Sequence, residues 1–155
     1  KFSLNLFLNI LEIFMKVLNG FNVRCYAICE NDNKILVLYE YFKDDILCKL
    51  PGGGVEFGEG ILECLHREFL EELNVKIEII EHLYTQETFV ESIVDDGKQL
   101  LLIFYVVKIV DIENFMINTP DIDRFEWVDI DEDNFILPFD KIALSKFRER
   151  KLQNK

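Results

Sequence analysis

Three glutamates, Glu68, Glu71 and Glu72, fall within one helical turn and a half, just behind a turn holding Gly52, Gly53, Gly54, Gly58 and Gly60. Carboxylate oxygens are the ligands that hard divalent cations such as Mg2+ prefer. Glycines let a backbone adopt positive φ and approach a ligand closely. A turn able to admit phosphate beside a set of cation-binding oxygens points to the chemistry of phosphate esters or phosphoanhydrides.

Helical geometry sharpens this reading. With Ile61 at zero, Glu68, Glu71 and Glu72 project at roughly 340°, 280° and 20°, on one face. Ile61, Leu62, Leu65, Phe69, Leu70 and Leu73 fill the adjoining arc, a core-facing stripe with Glu72 at its edge. Like charges three and four residues apart cost roughly 0.2–0.5 kcal/mol per pair in an exposed helix, and more where water is excluded. A half-buried face of this kind calls for a compensating cation. The plainer reading is a solvated acidic face, with Arg67 pairing to Glu63 or Glu71; the glycine turn at the right distance speaks against it.

From Gly53 the chain runs five residues to Glu59, seven more, and then Arg67-Glu68-Phe69-x-Glu71-Glu72-x-Asn74-Val75. This pattern closely resembles the Nudix box of the Nudix hydrolases, with one departure: Asn74 stands where the box has its last glycine. Asparagine is the next-best occupant of a left-handed position closing a helix, so the turn should survive. The resemblance implies roles. Glu68, Glu71 and Glu72 are the expected metal ligands, with Glu71 or Glu72 also a candidate to deprotonate water. Glu59 supports the metal site or its water shell. Arg67 orients a glutamate through a salt bridge. Gly53, flanked by Gly52 and Gly54, shapes the loop that presents backbone groups to metal and diphosphate.

The resemblance further implies an enzyme that uses Mg2+, with Mn2+ able to substitute. It would cleave a nucleoside diphosphate derivative or a nucleoside triphosphate by attack of water at phosphorus. The alternative is a non-catalytic nucleotide-binding sensor on the same fold; such modules usually lose box glutamates, and here all four stand. In many family members a further acid outside the box assists. Glu87, Glu91, Asp95 and Asp96 are the nearest suspects, with Glu126 behind them.

The elements that must position these groups are legible in outline. Phe21–Glu30 and Lys34–Phe42 read as strands joined by Asn31-Asp32-Asn33. Ile46–Leu50 leads into Pro51 and the glycine turn. Lys76 to about Ile93 reads as largely strand, followed by a hairpin turn at Asp95-Asp96-Gly97. Gln99–Val110 is a buried strand, Arg124–Ile130 the last strand, and Pro138–Arg150 a closing helix begun by proline. This α/β (α+β) order suits the α/β/α sandwich around a mixed sheet that the resemblance implies; periodicity alone leaves other α+β arrangements open.

Composition bounds the rest. A chain of 155 residues, half of them hydrophobic and 14 of them Phe, is long enough for one domain with a real core. Cys25, Cys29, Cys48 and Cys64 show no zinc-like spacing and suit free buried thiols in the cytoplasm. The net charge of −12 argues against a nucleic-acid polymer as partner. An anionic small-molecule substrate then needs a cation, helped by one of Lys34, Lys43, Lys49 or Lys98. Phe21, Tyr26, Phe42, Tyr84, Phe89, Tyr105, Phe125 and Trp127 are the aromatic side chains that could stack on a base.

Residues 1–19 stand apart from the single domain expected over 20–155. Their polar positions Asn5, Asn9, Glu12, Lys16 and Asn19 recur at helical period, which reads as an amphipathic helix covering the domain or a partner subunit and leaves room for a homodimer. The run is too interrupted for a membrane span and its polar face carries too little positive charge for a membrane surface. A start at Met15, with residues 1–14 as an extension, is the other reading.

Overall fold

The computed structural model describes residues 18–94, 96–132, 135 and 137–153. The helix expected over residues 1–19 therefore lies almost wholly outside the described residues, as does Asp95. The elements are β1 (Gly20–Asn31), β2 (Lys34–Phe42), β3 (Asp45–Lys49), β4 (Gly52–Gly54), α1 (Ile61–Leu73), β5 (Ile77–Thr85), β6 (Lys98–Ile109), a 3-10 turn at Ile112–Asn114, β7 (Ile122–Asp129) and α2 (Pro138–Gln153).

The seven strands form one mixed sheet in the order β3-β2-β1-β6-β5, with β4 paired to β1 and β7 to β2. β1 and β6 run parallel at its centre, Cys25 beside Ile103 and Ala27 beside Tyr105, and the other pairs are antiparallel. Their near-continuous apolar runs follow from this position, because a central parallel strand is covered on both faces. Cys25, Ala27 and Cys29 pack with Leu65, Phe69 and Leu73 of α1. Tyr26 and Ile28, of opposite parity, pack with Phe139, Ala143, Leu144 and Phe147 of α2. The period of two in a strand thus divides the core into two layers, one under each helix.

The β1–β2 hairpin closes on Asp32 and Asn33, both at positive φ (49° and 61°). That two-residue turn matches the twist of its strands, and Asp and Asn tolerate the left-handed region. Two details differ from the sequence reading. The expected strand from Lys76 to Ile93 stops at Thr85. Beyond it the Gln86 N–H still donates to the Leu102 carbonyl at 2.9 Å, the Gln86 side chain accepts the Leu102 N–H at 2.9 Å in place of a backbone carbonyl, and an isolated bridge joins Glu91 to Gln99. The buried face of α1 is also rotated: Leu62 and Leu70 are exposed, Cys64 is buried, and Glu72 lies in the middle of the buried face.

Candidate active site

β4 is short because its glycines are pressed against β1. Gly54, Gly53 and Gly52 lie opposite Arg24, Cys25 and Tyr26. Gly52 has φ of +129°, and a Cβ there would stand 2.2 Å from the Cys25 carbonyl oxygen. At Gly53 a Cβ would stand 2.3 Å from a carboxylate oxygen of Glu68. The missing side chain therefore lets the Glu68 carboxylate lie directly against the turn, so the glycine loop and the acidic helix form one structure.

Arg67 ties that structure together. Its Nε and Nη2 donate to Glu59 at 3.0 and 2.7 Å, Nη1 donates to Glu68 at 2.9 Å and to Glu71 at 3.2 Å, and Nη2 also reaches the Gly54 carbonyl at 2.9 Å. Both Glu59 oxygens are engaged, since Oε1 also accepts the Glu56 N–H at 2.8 Å. The Arg67 bonds and that amide hold the Glu59 carboxyl down at about 2.

Glu72 is nearly buried and turned the other way. Its oxygens accept from Lys49 Nζ at 3.0 Å and from the Gly52 N–H at 3.3 Å. Lys49 is itself buried, and its ammonium also donates to Glu40 at 2.6 Å and to the Gly52 carbonyl at 3.1 Å. Burial pushes Glu72 up against the pull of Lys49; on Lys49 burial works downward, and Glu72 and Glu40 outweigh it to raise the ammonium. The two shifts bear differently on the pair. The four contacts at hydrogen-bond distance decide for the ionised form, because an uncompensated charge there would be costly.

Glu68, Glu71 and Glu72 line one cavity of about 200 Å3 with Gly52, Gly53 and Gly54, joined by Arg24, Glu40, Lys49, Thr119 and Asp121. A second cavity, of about 260 Å3, adjoins it and shares Arg24, Glu40 and Lys49; Asn22, Tyr26, Phe42, Ser92 and Phe139 are among its walls. A third, of about 470 Å3 and including Cys29, Ile109, Trp127 and Phe147, shares no residue with either.

A sequence model of the NUDIX domain matches residues 18–146. The chain belongs to the Nudix family. Solved structures agree on the fold. A NUDIX hydrolase from Nitrosomonas europaea superposes with a TM-score of 0.71 at 23% identity, covering 84% of this chain and 90% of that one. A MutT NUDIX hydrolase from Burkholderia pseudomallei gives 0.70 at 21%, covering 83% and 98%. A C. elegans Ap4A hydrolase gives 0.67 at 18%, covering 86% and 98%. No curated protein sequence matches the chain.

Membership makes this Nudix domain a hydrolase of diphosphate bonds, in a family whose members generally use divalent metal ions. By type the residues fit such an ion: the cavity offers the carboxylates of Glu40, Glu68, Glu71, Glu72 and Asp121, and the Gly53 cradle lets one of them meet the backbone. As they stand, no three acidic, histidine or cysteine side chains among the described residues converge on a common point. Arg67 holds Glu68 and Glu71, while Lys49 holds Glu72. The expected trio thus shares a cavity, with each carboxylate drawn to a basic partner. Glu59 and Arg67 lie behind it, outside the lining.

Of the four lysines singled out in the sequence, only Lys49 lines the cavity. None of Glu87, Glu91, Asp96 and Glu126 does, and Glu126 instead accepts the Tyr39 hydroxyl at 3.0 Å and Arg124 at 3.1 Å. The acids that do are Glu40 and Asp121. Glu40 had a signal: it follows Leu36 and Leu38 in strand parity, a charge on the face that packs under α1. Arg24 had one too, sharing parity with Tyr26 on β1. Among the aromatic candidates Tyr26 and Phe42 border the adjoining cavity, whereas Tyr84 stacks on Phe104 and Phe125 meets Phe115 edge to face.

Proposed function

We propose that this chain is a Mg2+-dependent pyrophosphohydrolase of the cytoplasm, with Mn2+ able to substitute, acting on a nucleoside diphosphate derivative or a nucleoside triphosphate. The observation that carries the reading is the shared lining of two cavities: the glutamates and glycine turn bound one, and Arg24, Glu40 and Lys49 open it onto a second with room and aromatic wall for a base. The Ap4A hydrolase named above acts, by its title, on a nucleotide of this general kind. Four buried free cysteines suit a reducing compartment.

A divalent ion bound by Glu68, Glu71 and Glu72 supplies Lewis-acid polarisation of a phosphoryl oxygen and an acidified water. The chain's own groups do the rest. Glu71 is the most exposed of the three and meets Arg67 through one bond, so it is the carboxylate freest to take the proton from the attacking water; Glu72 is the second candidate. The water oxygen forms the new bond to phosphorus, the bridging P–O bond breaks, and the leaving phosphate departs. Arg24 lines both cavities with its Nε on the Tyr26 hydroxyl at 2.5 Å, and its outer nitrogens are the donors it can offer to phosphate oxygens.

A panel of diphosphate compounds, assayed for released phosphate or mononucleotide with Mg2+, with Mn2+ and with chelator, tests this reading. Hydrolysis of at least one nucleotide, abolished by chelator and restored by either ion, is expected. Tight nucleotide binding without turnover across the panel would instead establish the sensor alternative.

A further inference from the structure

Lys49 was one of four lysines of equal standing in the sequence, and the structure sets it apart. Its ammonium is buried beneath the glycine turn and spends its three protons on Glu72 at 3.0 Å, Glu40 at 2.6 Å and the Gly52 carbonyl at 3.1 Å. The same Glu72 carboxylate is one of the three expected to hold the divalent ion, and its other oxygen accepts the Gly52 N–H. A carboxylate oxygen bonded to an ammonium cannot at the same time face a divalent cation closely without two positive charges being pressed together.

We propose that Lys49 is an internal counter-ion that holds Glu72 and the glycine turn in place before the metal arrives, and that metal binding displaces it from Glu72. Glu40 is the receiving group. It is already bonded to Lys49, its side chain is one-third exposed, and it lies on the wall common to both cavities. Released from Glu72, the ammonium stays anchored on Glu40 at the mouth of the adjoining cavity, where it meets an anionic substrate. Lys49 is thus a positioning residue, and the mutual exclusion on Glu72 makes the metal-free and metal-bound arrangements two settings of one buried charge. The inference rests on the reading that Glu72 ligates the ion.

The test is Mn2+ binding followed by electron paramagnetic resonance, with no turnover involved, for wild type, Lys49→Met and Glu72→Gln. Loss of the competing cation should tighten Mn2+ binding in Lys49→Met by about five- to tenfold, the lower range of coupling between two sites. In chelator the same variant should melt below wild type, with two carboxylates left without their cation, and saturating Mn2+ should close that gap. Should Lys49→Met fail to fold, the 15N signal of the Lys49 ammonium in wild type reports directly: it should shift on Mg2+ addition and saturate with the ion. Unchanged or weaker Mn2+ binding in Lys49→Met, or an ammonium signal indifferent to Mg2+, overturns the counter-ion while Glu72→Gln still weakens binding. If Glu72→Gln binds Mn2+ like wild type, the ligand assignment itself is wrong, and the proposal falls with it.

Discussion

The Arg67 guanidinium and the Glu59 carboxylate meet at two points, Nε to Oε2 at 3.0 Å and Nη2 to Oε1 at 2.7 Å. This planar pairing closes the loop between the glycine turn and α1, and the same guanidinium reaches forward to Glu68 and Glu71. Arg67→Lys should not substitute, because a point charge cannot span Glu59, Glu68 and the Gly54 carbonyl together. We expect kcat/KM to fall on the order of a hundredfold through misplaced glutamates, with Glu59→Gln falling likewise and circular dichroism little changed. Rates within twofold of wild type would detach this pair from the site. With Glu59 held at about 2, it stays ionised in the folded protein down to that pH, and its contribution to stability, full above the ordinary carboxyl range, is lost as pH falls from there through about 2. Acid inactivation near pH 4 must therefore come from another group.

Neighbouring glycines should fail in different ways. Gly52→Ala places a Cβ against the Cys25 carbonyl at positive φ, so stability should drop by at least about 1–3 kcal/mol. Gly53→Ala meets the carboxylate of the Glu68 side chain first, the movable end of a flexible group and not a backbone atom. It should melt close to wild type and lose activity, because Glu68 is driven off the turn. Thermal melts and rates measured side by side check both, and equal losses of stability would contradict the contrast.

Asn74 ends α1 at φ 55° and ψ 34°, its N–H bonded to the Leu70 carbonyl. Asn74→Gly should change stability by no more than about 0.5 kcal/mol, whereas Asn74→Val, forced into the left-handed region, should cost about 1–2 kcal/mol. Denaturant unfolding distinguishes them, and a large loss in Asn74→Gly would show that the asparagine side chain matters beyond its bond to the Asn114 carbonyl.

Asp140, fully buried in the first turn of α2, accepts the Leu50 N–H at 3.3 Å, and its other oxygen has no hydrogen-bond partner among the described residues. Burial raises its carboxyl from 3.8 to about 7, against the Leu50 amide and Lys49. A raised acid binds its proton in the folded state first. Its stabilising contribution is therefore complete in acid and is lost as pH climbs from about 4 to about 7, by up to about 4 kcal/mol. Asp140→Asn keeps an acceptor for Leu50 and should flatten that slope. Melting temperatures from pH 5 to pH 8 that fall equally in both proteins would contradict this assignment.

Much of this architecture was legible because it rests on short-range rules. The period of two in β1, the Asp32-Asn33 turn, Pro138 and the spacing from Gly53 to Val75 each fix a local feature without help from distant residues. Asparagine at position 74 was readable for the same reason. The rest depends on contacts across the fold. Glu72 could be placed on the inner flank of α1 but not at its centre, because the rotation of the helix is set by the glycine strand under it. Lys49 and Glu72 are distant in sequence, and their pairing exists only because β3 and β4 pass beneath the helix. Gln86 ends a strand that its sequence would continue: its backbone N–H still donates to the Leu102 carbonyl, but its side-chain oxygen, not the next backbone carbonyl, takes the Leu102 N–H.

If the α1 glutamates carry the hydrolysis of a diphosphate bond, the Mg2+-dependent rate on the best substrate from the diphosphate panel must depend on them, as measured for wild type, Glu71→Gln and Glu72→Gln, each shown folded by its melting temperature. We expect turnover in wild type and rates reduced on the order of a hundredfold or more in both variants. Variants that are folded and retain near-wild-type rates would contradict the account.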